Sequence, residues 1–134
     1  MAGENSPEDS PVPGDCPPED AIPACGTVFR CCKSDPPAES GMRTNDETGR
    51  LPDAPPCLRR ALSVFRTRQD AVHQLRLFRR WRRKLVAQAD LEERHGRTKQ
   101  TSGRQPTHTS WWPSPGLNPS QRAALFSVVS EVEQ

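Results

Sequence analysis

Tyrosine is missing from this chain of 134 residues, which has only four phenylalanines and three tryptophans. Large aliphatic residues are scarce too. Leucine, isoleucine, valine and phenylalanine together number 22, about 16% of the chain. Below roughly 20%, a chain struggles to bury enough apolar surface to offset its conformational entropy. This composition argues against a barrel, a doubly wound sheet or an ordinary enzyme fold, and it predicts a chain that is mostly disordered, without a globular core. No apolar run reaches the 18 or so residues of a membrane-crossing helix. The opening MAGENSPEDSPVPGD has neither the basic start nor the apolar stretch of a secretory signal, so a non-secreted protein is expected. The glycine-rich phosphate loop, the HExxH pair and the CxxC pair are all missing. His73, His95 and His108 stand apart in sequence and read as solvated residues. No enzyme activity, catalytic residue, metal site or cofactor is expected, because no core exists to hold a site in geometry.

Five cysteines are present, all within the first 57 residues: Cys16, Cys25, Cys31, Cys32 and Cys57. An odd number without a signal argues against a secreted disulfide framework, and the spacing does not suit tetrahedral zinc. Cys31 and Cys32 adjoin basic residues and a short apolar stretch in VFRCCK, which makes them lipidation candidates, with inert reduced thiols as the plainer alternative.

What the chain does have is charge, sharply partitioned. Residues 1–57 carry 11 acidic and four basic side chains, net −7, together with 11 of the 15 prolines. Residues 58–104 carry 14 basic and four acidic ones, net +10, and no proline. Three parts follow: an acidic, Pro-rich disordered tail (1–57), a basic helix (58–95), and a linker with a Trp-Trp-Pro motif and a short helix (96–134). The tail either solvates the basic segment or folds back on it. Ser6, Ser10 and Ser114 precede prolines and are phosphorylation candidates.

From Leu58 to His95 the sequence has no Pro or Gly and is rich in helix formers. One continuous amphipathic helix of roughly 57 Å is predicted. Leu58, Ala61, Leu62, Phe65, Val72 and Leu75 would share one face, and Phe78, Trp81, Leu85 and Ala89 another, the stripe turning between Leu75 and Phe78. Six of the nine residues from Arg76 to Lys84 are basic: Arg76, Arg79, Arg80, Arg82, Arg83 and Lys84. Repulsion among them leaves the isolated helix marginal, and an acidic partner would relieve it. Basic helices with bulky anchors are targets of EF-hand proteins. Phe65, Val72, Leu75, Phe78, Trp81 and Leu85 are the expected anchors, with Arg79, Arg80, Arg82, Arg83 and Lys84 facing an acidic rim.

Phe78, Trp81 and Arg82, preceded by Leu75 and Leu77, resemble the Phe-x-x-Trp-Arg/Lys core of the centrin-binding repeat in spindle-pole and centriolar filament proteins. The upstream leucines fit less well, and only one copy is evident. The resemblance implies a continuous helix, an EF-hand partner (centrin or calmodulin) and a centrosomal or cytoplasmic location. A second reading takes Arg79 to Lys84 as a nuclear localisation signal or an arginine-rich nucleic-acid-binding helix. A third is a generic coiled-coil or scaffold helix that packs on another helical protein. A membrane helix fits poorly, because the apolar stripe is bent.

In the last third, Trp111-Trp112 reads as a docking motif or as a pair packing back on the long helix. A short helix is predicted over about 120–133, with Ser120 as its N-cap and Leu125, Val128, Val129 and Val132 at helical spacing.

Overall fold

The computed structural model describes residues 16–133. It overturns the expected disordered chain with one long helix, and with it the amphipathic and coiled-coil helix over 58–95. The described residues form a seven-stranded antiparallel sheet with short helices on it. The strands are β1 (Ile22–Pro23), β2 (Gly26–Cys32), β3 (Leu62–Phe65), β4 (Leu85–Leu91), β5 (Gly96–Gln100), β6 (His108–Pro113) and β7 (Ser127–Glu131). Their spatial order is β1-β5-β6-β3-β2-β4-β7. The helices are α1 (Asn45–Thr48), α2 (Pro56–Arg59), α3 (Arg68–Leu75) and α4 (Pro119–Ala124). The sheet takes strands from all three charge segments of the sequence.

The segment read as one helix is α2, β3, α3 and β4 in succession. Thr67 starts α3 by accepting a hydrogen bond from the Asp70 amide, and the helix ends at Leu75. The apolar stripe therefore turns where the helix stops. In β4, Leu85, Ala87, Ala89 and Leu91 alternate inward with period two, and this pattern is a strand's. The final helix is shorter than predicted. Asn118, not Ser120, caps it through a reciprocal pair of bonds with Gln121, and Val128 and Val129 lie in β7.

Alternation along the strands sends side chains to two faces. On one, Val28, Leu62, Val64, Leu85, Ala87, Ala89, Leu91 and Trp111 are sealed by Met42, Ala123 and Phe126. On the other, α3 covers one region, where Phe65 and Val86 meet Ala71 and Leu75. Trp112 lies under a second cover on this face, its indole donating to the Cys57 carbonyl at 2.9 Å. Cys57 is disulfide-bonded to Cys16. The odd cysteine count, which argues against a disulfide framework, gives no sign of this pair, whose partners are 41 positions apart in sequence. Between the two covers, over β3 and β6, the second face stays open.

Candidate functional site

The open stretch is a cleft of about 410 Å³. Its floor holds Ser63 and Phe65 of β3, His108 of β6 and Cys31 of β2, and its walls include Gln74, Phe78, Trp81, Arg104, Arg43 and Asn45. A second hollow of about 370 Å³ shares Arg30, Cys31, Arg43, Asn45 and Trp81 with it and adds Lys33 and Arg50. Among the described residues, neither lining contains an aspartate or glutamate.

Arg30 sets the electrostatics. β2 and β3 pair at one position, Phe29 with Phe65, and then part. The Arg30 guanidinium bridges the gap, donating to the Ser63 carbonyl of β3 at 2.7 Å and to the Gly41 carbonyl at 2.7 Å. Its Nε is buried with no hydrogen-bond partner, and it makes no ion pair among the described residues. Burial pulls its pKa below the usual guanidinium range. The neighbouring Cys31 thiol cannot neutralise it, since burial pushes that thiol up to about 12 and keeps it protonated near neutrality. Arg122 is the contrast. It is the more deeply buried of the two, the Glu47 carboxylate holds it at 2.8 and 3.1 Å, and two carbonyls accept its other donors.

His108 is not a free, solvated ring. Its Nε2 lies 3.0 Å from Ser63 Oγ, and its Nδ1 lies 3.1 Å from Thr101 Oγ1 and 3.3 Å from the Thr101 carbonyl. Thr101 Oγ1 in turn meets Ser110 Oγ at 2.8 Å. The register explains the meeting. Phe65 pairs with His108 and Ser63 with Ser110, so Ser63 and His108 are diagonal neighbours on one face of adjacent strands. With Nδ1–H donated to the Thr101 carbonyl, Nε2 accepts from the Ser63 hydroxyl. The Phe65 ring stands edge-on to the imidazole, with centroids 5.7 Å apart.

The loop after β5 brings Arg104 to the cleft. Asp70 on α3 fixes that loop, accepting from the Thr107 amide at 2.8 Å and its hydroxyl at 2.6 Å. These bonds hold the Asp70 carboxyl below its usual range. Gly103 lets the loop lie against His108, because a Cβ there would come within 2.7 Å of the imidazole Cγ. Opposite, Phe78 and Trp81 stack at 4.4 Å in the turn after α3, and the Lys33 ammonium sits 4.7 Å from the Trp81 ring centre.

The expected anchors do come together, but in the interior. Phe65, Val72, Leu75, Phe78 and Trp81 form one cluster under α3, and Leu85 lies in the core on the other face. Arg79, Arg80 and Arg82 are exposed, Arg83 pairs with Glu131 at 3.0 Å, and Lys84 is buried. Phe78, Trp81 and Arg82, which carry the centrin-repeat resemblance, lie in a turn with no helix around them. Cys31 and Cys32 are free thiols, Cys32 within the core. Ser114 donates to the Arg94 carbonyl at 2.8 Å, while Ser6 and Ser10 lie outside the described residues. Among those residues no cluster of His, Cys, Asp and Glu could hold a metal ion. Arg30, Arg43, Ser63, Arg104 and His108 escaped the sequence reading. The alternation in LSVF and HTSWWP marks two strands, but nothing local tells that they are neighbours.

Compared with known proteins, the chain matches no protein-family model, no curated protein and no solved structure. Any role for the cleft must therefore be argued from its own residues.

Proposed function

We propose that the cleft binds single-stranded nucleic acid. The observation that carries this reading is Arg30, a partly buried guanidinium with a buried, unpartnered Nε and no carboxylate partner among the described residues, in a cleft that Arg43 and Arg104 also line. A cation drawn partly out of water with no acid beside it costs free energy, and a phosphate in the cleft would offset that cost. Lys33 and Arg50 in the adjoining hollow continue the positive track, as a phosphodiester backbone requires. Phe78, which lines the wall with one face stacked on Trp81, offers its remaining aromatic surface to an unstacked base. A cleft of about 410 Å³ is of a size for an unpaired nucleotide and not for a duplex. This extends the nucleic-acid reading of the sequence, although the arginines that matter are no longer those of a helix.

Anisotropy of labelled single-stranded and duplex oligonucleotides tests it. The single strand should bind more tightly, and log affinity should fall linearly with log salt. Arg104→Ala and Arg43→Ala should each weaken binding about 5- to 20-fold and make the salt slope shallower. The reading fails if no oligonucleotide binds at low salt, or if both variants bind like the parent. It also fails if calcium-loaded centrin or calmodulin binds the chain and nucleic acid does not, because the EF-hand reading would then replace it.

A further inference from the structure

We infer that Ser63 and His108 make this cleft a phosphodiester-cleaving site, with Ser63 as nucleophile and His108 as general base and acid. The inference rests on the nucleic-acid reading of the same cleft. Three relations support it. The nucleophile and base are already in hydrogen-bond contact at 3.0 Å. The base is held from behind, since Thr101 engages Nδ1 and leaves Nε2 to accept the serine proton. The positive groups are on the spot, because Arg30 bonds the carbonyl of Ser63 itself and Arg104 lines the same cleft. A Ser–His contact between neighbouring strands can be purely structural. Here its inner end is closed by Thr101 and buried Ser110, while its outer end is the exposed Ser63 hydroxyl in an anion-attracting cleft.

The reaction balances without any further reagent except water. Ser63 Oγ attacks phosphorus as His108 Nε2 takes its proton. The bond from phosphorus to the leaving oxygen breaks, and His108 returns the proton to that oxygen. Water then attacks the phosphoserine ester as His108 takes a proton from it. The bond from phosphorus to Oγ breaks, and Ser63 recovers the proton. The guanidinium charge of Arg30 and Arg104 offsets the negative charge that grows on the non-bridging oxygens.

The test measures turnover and binding on the same preparations of the whole chain. Bis(p-nitrophenyl) phosphate and a fluorogenic single-stranded oligonucleotide are the substrates, with oligonucleotide anisotropy alongside. The parent should release p-nitrophenolate and cleave the strand. Ser63→Ala and His108→Gln should each lower turnover at least 100-fold while changing binding less than threefold. A phosphoryl adduct on Ser63 should be trapped in the parent and be missing from Ser63→Ala. Binding without turnover overturns the inference and leaves the nucleic-acid reading standing. Turnover that survives in both variants overturns it too, as does loss of turnover that merely follows loss of the thermal transition. Neither binding nor turnover sinks both readings together.

Discussion

Two arginines of this small protein sit in contrasting surroundings, Arg122 buried against a carboxylate and Arg30 partly buried without one among the described residues. Arg122 ties α4 to the segment before α1, with Glu47 across from it and the Met42 and Leu117 carbonyls completing its bonds. Arg30 has carbonyl partners only. Removing Glu47 would give Arg122 the condition Arg30 already has. Glu47→Ala should cost about 2 kcal/mol, reduced from the fully buried case because the Glu47 side chain is about one-third exposed. Urea midpoints at unchanged m-value would check this. The pH dependence has a definite sign. The hydrogen bond from Arg122 is the main cause holding the Glu47 carboxyl below its ordinary range. Its contribution is then complete above the unfolded-state pKa and is lost as pH falls through the folded one. The parent should lose stability as pH drops below about 5, and Glu47→Ala should lose less over the same interval. Equal acid sensitivity of the two proteins would contradict the assignment.

At the scale of elements, much was legible, but it was read with the wrong period. Leu85-Val86-Ala87-Gln88-Ala89-Asp90-Leu91 alternates as a strand does, and Thr67 three residues before Asp70 is a helix start in the middle of the supposed helix. Both signals are local and available in the sequence. They were masked by the lack of Pro and Gly, which left 58–95 without punctuation, and by the helix propensity of its many arginines. The pairing of β3 with β6 was not legible, because the register that joins Ser63 to His108 spans 45 positions of chain. The same holds for Asp70 and Thr107, which join α3 to the Arg104 loop across 37 positions. Asp70→Ala should therefore act at a distance. It removes the carboxylate under two loop bonds, so amide exchange over 101–107 should quicken by an order of magnitude or more, and oligonucleotide affinity should fall several-fold. Unchanged exchange in that loop would show that other contacts hold it.

For the whole molecule, the small count of large aliphatic residues remains true, and yet a core exists. It is filled by residues that count overlooks: Ala24, Ala71, Ala87 and Ala89, Met42, Cys32, and above all Trp111, fully buried with its indole donating to the His95 carbonyl at 3.0 Å. The polarised charge is also resolved inside the fold. Asp46 meets Arg59 and Arg60, Asp20 meets Lys99, Glu47 meets Arg122 and Glu39 meets Arg43 at the cleft, so acids of the first third offset many of the bases, while Arg30 and Arg104 make no ion pair among the described residues. A domain with so modest a core should lean on its covalent link. The Cys16–Cys57 bond closes a loop over 41 positions, with an entropic worth of about 4 kcal/mol in the chain-entropy account. It also holds the segment whose carbonyl receives the Trp112 indole, one of the two covers that leave the cleft between them. Cys16→Ser with Cys57→Ser, or the parent in reductant, should melt on the order of 10–15 °C lower than the oxidised parent. Thiol titration of the unfolded protein gives the matching count, three free thiols when oxidised and five when reduced. If five thiols titrate and the melting temperature does not move, the link contributes nothing and the alanine- and tryptophan-filled core is sufficient by itself.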